Sequence, residues 1–219
     1  MWFVPQTPTF VNSVNVGVYG INQFDTLKSY FDMLDYHKDY AYLNEIGSFI
    51  PSSLQHINTA LEHIINVGMI DPTKLFLDAG CGDGRIVALT GGVHGIPSIG
   101  IEYDPLIFQQ AKQHLKQWSN SHIKIVCGDF EKDATYHKIG VHFEEIATIF
   151  NYINNVTTIA TKIARQSPIG TCFLLYDSRA IAQSFSELRL IENITLSDES
   201  GVGYLHVYKK QENSHILRV

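Results

Sequence analysis

The 219-residue sequence predicts an α/β fold: a doubly wound, mostly parallel seven-strand sheet with a C-terminal antiparallel hairpin and an N-terminal helical or extended extension. Three observations carry this. From Leu75 onward, short apolar runs alternate with helical stripes, as right-handed crossovers between parallel strands require. A glycine-rich turn, Gly80 to Gly84, follows the first apolar run and opens a helical segment. The tail then changes style, to two alternating segments joined by Asp198-Glu199-Ser200-Gly201.

Each element has its own signal. Residues 1–20, rich in Val, Asn and Gly, have no helical period and read as an extended arm or short hairpin. From 24 to 46, Phe24, Leu27, Tyr30, Phe31 and Leu34 fall at helical spacing and predict a helix. Such a stripe packs a core, though its tyrosines suit a substrate cleft as well. Ser52 or Ser53 is the N-cap of the next helix, and Leu54, Ile57, Leu61, Ile64 and Ile65 form its apolar face. Gly68 stands at its stop and Asp71-Pro72 makes a turn. Buried-type strands are predicted at 75–80, 98–103, 123–128, 145–150 and 171–176. The clearest crossover helix spans 104–118, with Asp104 capping, Pro105 at the first position and a stripe of Ile107, Ala111, Leu115 and Trp118. A second runs from about 154 to 166, with Asn154 available as its cap. TGGVHG (90–95) interrupts the helix after the glycine turn. The predicted division is an extension at 1–47, one domain at 48–210 and a tail at 211–219.

Composition narrows the class. With 45% apolar and 17% charged residues the chain is globular. A net charge of −6 argues against general nucleic-acid binding. Cys81, Cys127 and Cys172 have no paired spacing, which predicts buried free thiols in a reducing compartment. The N-terminus lacks a positively charged signal region, and no apolar run reaches membrane-spanning length, so a cytoplasmic protein is expected. His56 and His63 lie seven apart on one helix face but have no third ligand, so no metal is expected.

The glycine turn decides the ligand class. Its G-x-G-x-G spacing is not the dinucleotide G-x-G-x-x-G, and no Lys-Ser/Thr follows to grip phosphate and magnesium. Asp78 precedes the turn and Asp83 lies within it. Negative charge there repels a pyrophosphate and suits the ammonium of a cationic amino-acid moiety. Glu102, ending the second strand, can take both hydroxyls of a ribose. At the third strand end, Gly128-Asp129-Phe130 offers a carboxylate to an exocyclic amine and an aromatic wall to a purine. The three strand ends lie side by side on the sheet's carboxyl edge, where ligands bind.

These residues carry a resemblance. LFLDAGCGDGRIV, IGIEYDP and IVCGDF resemble the first three motifs of class I S-adenosyl-L-methionine-dependent methyltransferases, over about residues 48 to 210. The resemblance implies a Rossmann-like methyltransferase fold and S-adenosyl-L-methionine as cofactor. Asp78, Gly80 and Gly82 would hold its methionine part, Glu102 its ribose, and Asp129 and Phe130 its adenine, with Cys81 and Tyr103 also among the cofactor-binding residues. More narrowly, the stretch from FIPSS through GDGRIV is similar to bacterial and mitochondrial seven-strand protein-lysine methyltransferases. In that group the loop before the helix folds over the cofactor, which implies Phe49, Pro51 and Ser52 near the site.

The fourth motif, IFNYINN (149–155), matches neither the Asn/Asp-Pro-Pro-Tyr of amino-group nucleic-acid methyltransferases nor the lysine group. Asn151 and Tyr152 are expected to orient the acceptor, with Asn151 also touching the cofactor. The implied function is methyl transfer to a protein lysine amine. Two alternatives stand beside it: a small-molecule methyltransferase with the N-terminal segment as lid, and a non-catalytic cofactor- or partner-binding protein. No general base stands out.

Overall fold

The computed structural model describes residues 22–36, 42–44, 47–118 and 122–212. The arm expected at 1–20 lies outside the described residues, as does nearly all of the 211–219 tail. The described chain opens with α1 (Gln23–Tyr36), two short antiparallel strands, β1 (Tyr42–Asn44) and β2 (Gly47–Phe49), and α2 (Leu54–Asn66). The single helix expected over 24–46 is thus described as far as Tyr36, and Tyr42–Asn44, within the same span, form a strand instead. Ser53 caps α2 by accepting from the His56 N–H, and Gly68 follows its end at φ 71°.

Then come β3 (Leu75–Ala79), α3 (Arg85–Val87), β4 (Ser98–Glu102), α4 (Pro105–His114), β5 (Ile123–Cys127) and α5 (Asp133–His137). The chain ends with β6 (Ile146–Tyr152), α6 (Val156–Gln166), β7 (Cys172–Asp177), β8 (Leu188–Asp198) and β9 (Gly201–Lys210). Seven strands form one sheet in the order β5-β4-β3-β6-β7-β9-β8. The first five run parallel, and β9 and β8 form the antiparallel hairpin. The chain winds outward from β3 through β4 to β5, then returns to β6 on the other side. The point of reversal lies between β3 and β6, where open α/β sheets leave a crevice at the carboxyl ends of the strands.

Helices cover both faces. On one, Phe24, Leu27 and Phe31 of α1 join Leu54, Ile57 and Ile64 of α2 in a single cluster beneath the sheet. On the other, Tyr136, Ile159 and Ile163 pack on Leu77, Ile149 and Phe173. Complete burial of one such apolar side chain contributes about 1.5–3 kcal/mol, so α1 is fastened to the sheet.

Two local readings need correction. TGGVHG does not stop the helix after the turn: α3 runs on as a π-helical turn, Ala88–Val93. There the His94 N–H reaches back five residues to the Leu89 carbonyl at 3.1 Å, and the Thr90 hydroxyl takes the Ile86 carbonyl at 2.9 Å. Of the cysteines, Cys81 and Cys172 are buried, but Cys127, at the end of the outermost strand, is only half-buried.

Candidate active site

The glycine turn begins where β3 ends. Gly80, Gly82 and Gly84 all take positive φ (90°, 53° and 84°), which side chains disfavour. The N–H groups of Gly80 and Cys81 both donate to the Ile101 carbonyl at 2.9 Å, tying the turn to β4. The turn forms the floor of a cleft of about 870 Å³, open solvent at its mouth included. That is within the usual span for small-molecule sites.

Two carboxylates give the cleft its character. Asp78 is 2% exposed. Burial, then the nearby Glu102 and Asp83, push its carboxyl well above the usual range. Glu102 Oε2 accepts from the Gly82 N–H at 2.9 Å and Oε1 accepts from the Asp104 N–H at 2.8 Å. Burial raises its pKa against the opposing pull of these bonds. Each oxygen keeps acceptor capacity for a further donor. A ligand with paired hydroxyls and a positive charge would satisfy both acids and favour their ionised forms.

Asp83 plays another part. The sequence counts it as free negative charge inside the turn, but Arg85 holds it, Nε at 3.1 Å and Nη2 at 2.8 Å. The charge that the turn presents is therefore that of Asp78, with Glu102 beside it.

Of the remaining expected residues, Gly80, Cys81 and Gly82 line the floor, and Pro51 and Ser52 close one side. Tyr103 and Phe130 line the β4–β5 end, and Tyr152 the β6 end. Asp129 is absent from the lining, its carboxylate accepting from the Glu131 N–H at 2.8 Å. Asn151 is also set back: it is 1% exposed, and its amide donates to the Ala79 carbonyl at 2.7 Å. Its Oδ1 has no hydrogen-bond partner among the described residues. The side chain of Phe49 lies outside the described residues.

The sequence alone did not single out Arg85, Asn154 or Asn155 as lining the cleft. Arg85 lines the cleft, and the only hint was its place two residues after Asp83. Asn154 lines it too, whereas the cap position of α6 falls to Asn155, at φ 53° and without a side-chain capping bond. Ile153, between Tyr152 and Asn154, takes φ 43°, rare for a β-branched residue. No spacing in IFNYINN announces this backbone.

Behind Tyr152 lies a polar array. Its ring centroid is 5.0 Å from that of Tyr176, whose hydroxyl is 2.7 Å from His56 Nδ1. His56 Nε2 lies 3.3 Å from Asp198, within ion-pair range but not aligned as a hydrogen bond. The Ser53 hydroxyl donates to the same carboxylate at 2.7 Å.

No protein-family model matches the chain, and no curated protein matches it. Its fold, however, is shared with solved structures. An RNA methyltransferase from Salinibacter ruber, in complex with S-adenosyl-L-homocysteine, aligns with a TM-score of 0.53 at 20% identity, over 78% of this chain and 100% of that one. MtNAS in complex with MTA and tNA aligns at 0.54 and 14% identity, over 72% of this chain and 61% of that one. The B. subtilis tRNA methyltransferase TrmK aligns at 0.53 and 14%, over 72% and 66%. The chain has the Rossmann-like fold of S-adenosyl-L-methionine-dependent methyltransferases, with its C-terminal antiparallel strands. Among the described residues no helix is long and apolar enough to cross a membrane.

Proposed function

We propose that the protein is an S-adenosyl-L-methionine-dependent methyltransferase whose acceptor is a protein lysine amine. The observation that carries the cofactor assignment is Glu102, bridging the Gly82 and Asp104 N–H groups at the cleft wall beside the buried Asp78. That arrangement suits a ribose next to a cationic, amino-acid-bearing sulfur. In this reading Asp78 and the turn take the methionine part, Phe130 and Tyr103 the adenine end, and Pro51 and Ser52 cover the cofactor.

Methyl transfer from a sulfonium is an in-line displacement in which the leaving thioether needs no acid. The protein's contribution is to hold a neutral nucleophile against the methyl carbon. The half-buried Tyr152 beside Tyr176 supplies an aromatic wall, and such a setting disfavours an ammonium and favours the free amine. The lysine acceptor is supported by the likeness of the FIPSS and GDGR segments to protein-lysine methyltransferases. The net charge of −6 favours it over a nucleic acid. With this reading go a cytoplasmic location and a cofactor-binding unit at 48–210, flanked by the 1–47 extension and 211–219 tail.

The test is incubation of the protein and radiolabelled S-adenosyl-L-methionine with cell extract, followed by separation of protein, RNA and low-mass fractions. Label in protein, stable to base and recovered as methyl-lysine, supports the proposal. Label confined to RNA or the low-mass fraction overturns the lysine assignment and leaves the cofactor assignment standing.

A further inference from the structure

Arg85 is a hub. Its side chain is 6% exposed, and its five N–H donors match five acceptor contacts or more. Nε is shared between the two Asp83 oxygens, and Nη2 donates to Asp83 Oδ2 at 2.8 Å. Nη2 also reaches Asp35 Oδ1 at 2.7 Å and Nη1 reaches Asp35 Oδ2 at 3.0 Å, a bidentate pair. Nη1 further donates to the Ser52 carbonyl at 3.4 Å. The guanidinium carbon lies 5.0 Å from the centroid of the Phe31 ring. One side chain thus gathers the glycine turn, the loop before α2 and the last turn of α1.

With its donors taken, Arg85 has none left for a ligand carboxylate. Its effect on the cleft is mechanical and electrostatic. Without Asp35, two donors of a buried cation fall free, and the nearest anion that can absorb them is Asp83, inside the turn.

We propose that Asp35, on α1, is a positioning residue for the methionine end of the cofactor. By holding the outer edge of Arg85 it fixes Asp83 and the Ser52 carbonyl, and through them the backbone on either side of the cleft floor. This rests on the cofactor reading above. It assigns α1 a part in that site although its residues do not line the cleft.

The experiment is calorimetric titration of wild type, Asp35→Asn and Asp35→Glu with S-adenosyl-L-methionine and with 5′-methylthioadenosine, which lacks the amino-acid moiety. Asp35→Asn should weaken S-adenosyl-L-methionine about tenfold and leave 5′-methylthioadenosine within twofold. Asp35→Glu should recover most of the loss. Equal affinity of Asp35→Asn and wild type for S-adenosyl-L-methionine overturns the proposal. So does a parallel loss for both ligands, which marks a merely structural role. Failure of the wild type to bind S-adenosyl-L-methionine instead overturns the cofactor reading beneath it.

Discussion

Asp78 and Glu102 hold charge where burial opposes it, so each trades stability for binding. Replacing Asp78 by Asn removes a buried acid that neighbouring carboxylates also disfavour. The variant should melt about 2–4 °C higher in scanning calorimetry and bind S-adenosyl-L-methionine at least about tenfold more weakly. Glu102→Gln keeps the size of the side chain but not two anionic acceptors. It can no longer serve both Gly82 and Asp104 and still receive ribose hydroxyls. An affinity loss of about tenfold or more is expected for S-adenosyl-L-methionine and 5′-methylthioadenosine alike. Because Asp35→Asn should spare the second ligand, the two variants separate the ribose end from the methionine end.

At the scale of elements, the hairpin β8–β9 is fitted to α2 by a missing side chain. A Cβ on Gly203 would lie 2.5 Å from the Tyr176 hydroxyl and 2.9 Å from His56 Nδ1. Gly203→Ala should therefore destabilise the protein by about 1–3 kcal/mol in urea unfolding. It should also disturb Tyr152 through Tyr176. The hairpin itself was legible, because ten-residue alternation around a polar turn is a strong local signal. The five parallel strands were legible too, each within two residues at either end, since buried apolar runs between turn residues have few other uses. What stayed hidden was local structure without a period. The helix α5 has five residues and no stripe, and β1 and β2 have three residues each. At the site, Asp78, Glu102 and the glycines could be read because the turn and strand ends fix their place. The Arg85–Asp35 pair could not, because it spans 50 residues and two elements. Likewise, nothing in Asn151 itself says that its amide turns to the Ala79 carbonyl.

The whole molecule responds to protons in two opposite ways. Asp78 and Glu102 both titrate above the ordinary carboxylate range. In the window between the ordinary and the raised values, the folded protein carries more protons than the unfolded chain. The contribution of these two groups to unfolding free energy therefore rises as pH falls through that window. Binding of a cationic cofactor runs the other way, since protonation removes the charge that attracts it. S-adenosyl-L-methionine affinity should fall with decreasing pH while this contribution to apoprotein stability grows, and Asp78→Asn should flatten both trends. Titrations of affinity and melting temperature across the acidic range check this. A saturating ligand also ties the turn, the 50–52 loop and the β4 and β6 ends together. At a hundredfold excess over its dissociation constant it should stabilise the fold by about 2.7 kcal/mol, or roughly 5–10 °C.

The cofactor assignment comes down to one titration: wild-type protein with S-adenosyl-L-methionine in a calorimeter, with NAD and ATP as controls. Saturable binding at one site per chain, weakened in Glu102→Gln and absent for the two controls, is the predicted result. No binding of S-adenosyl-L-methionine, or equal binding of NAD, would contradict it.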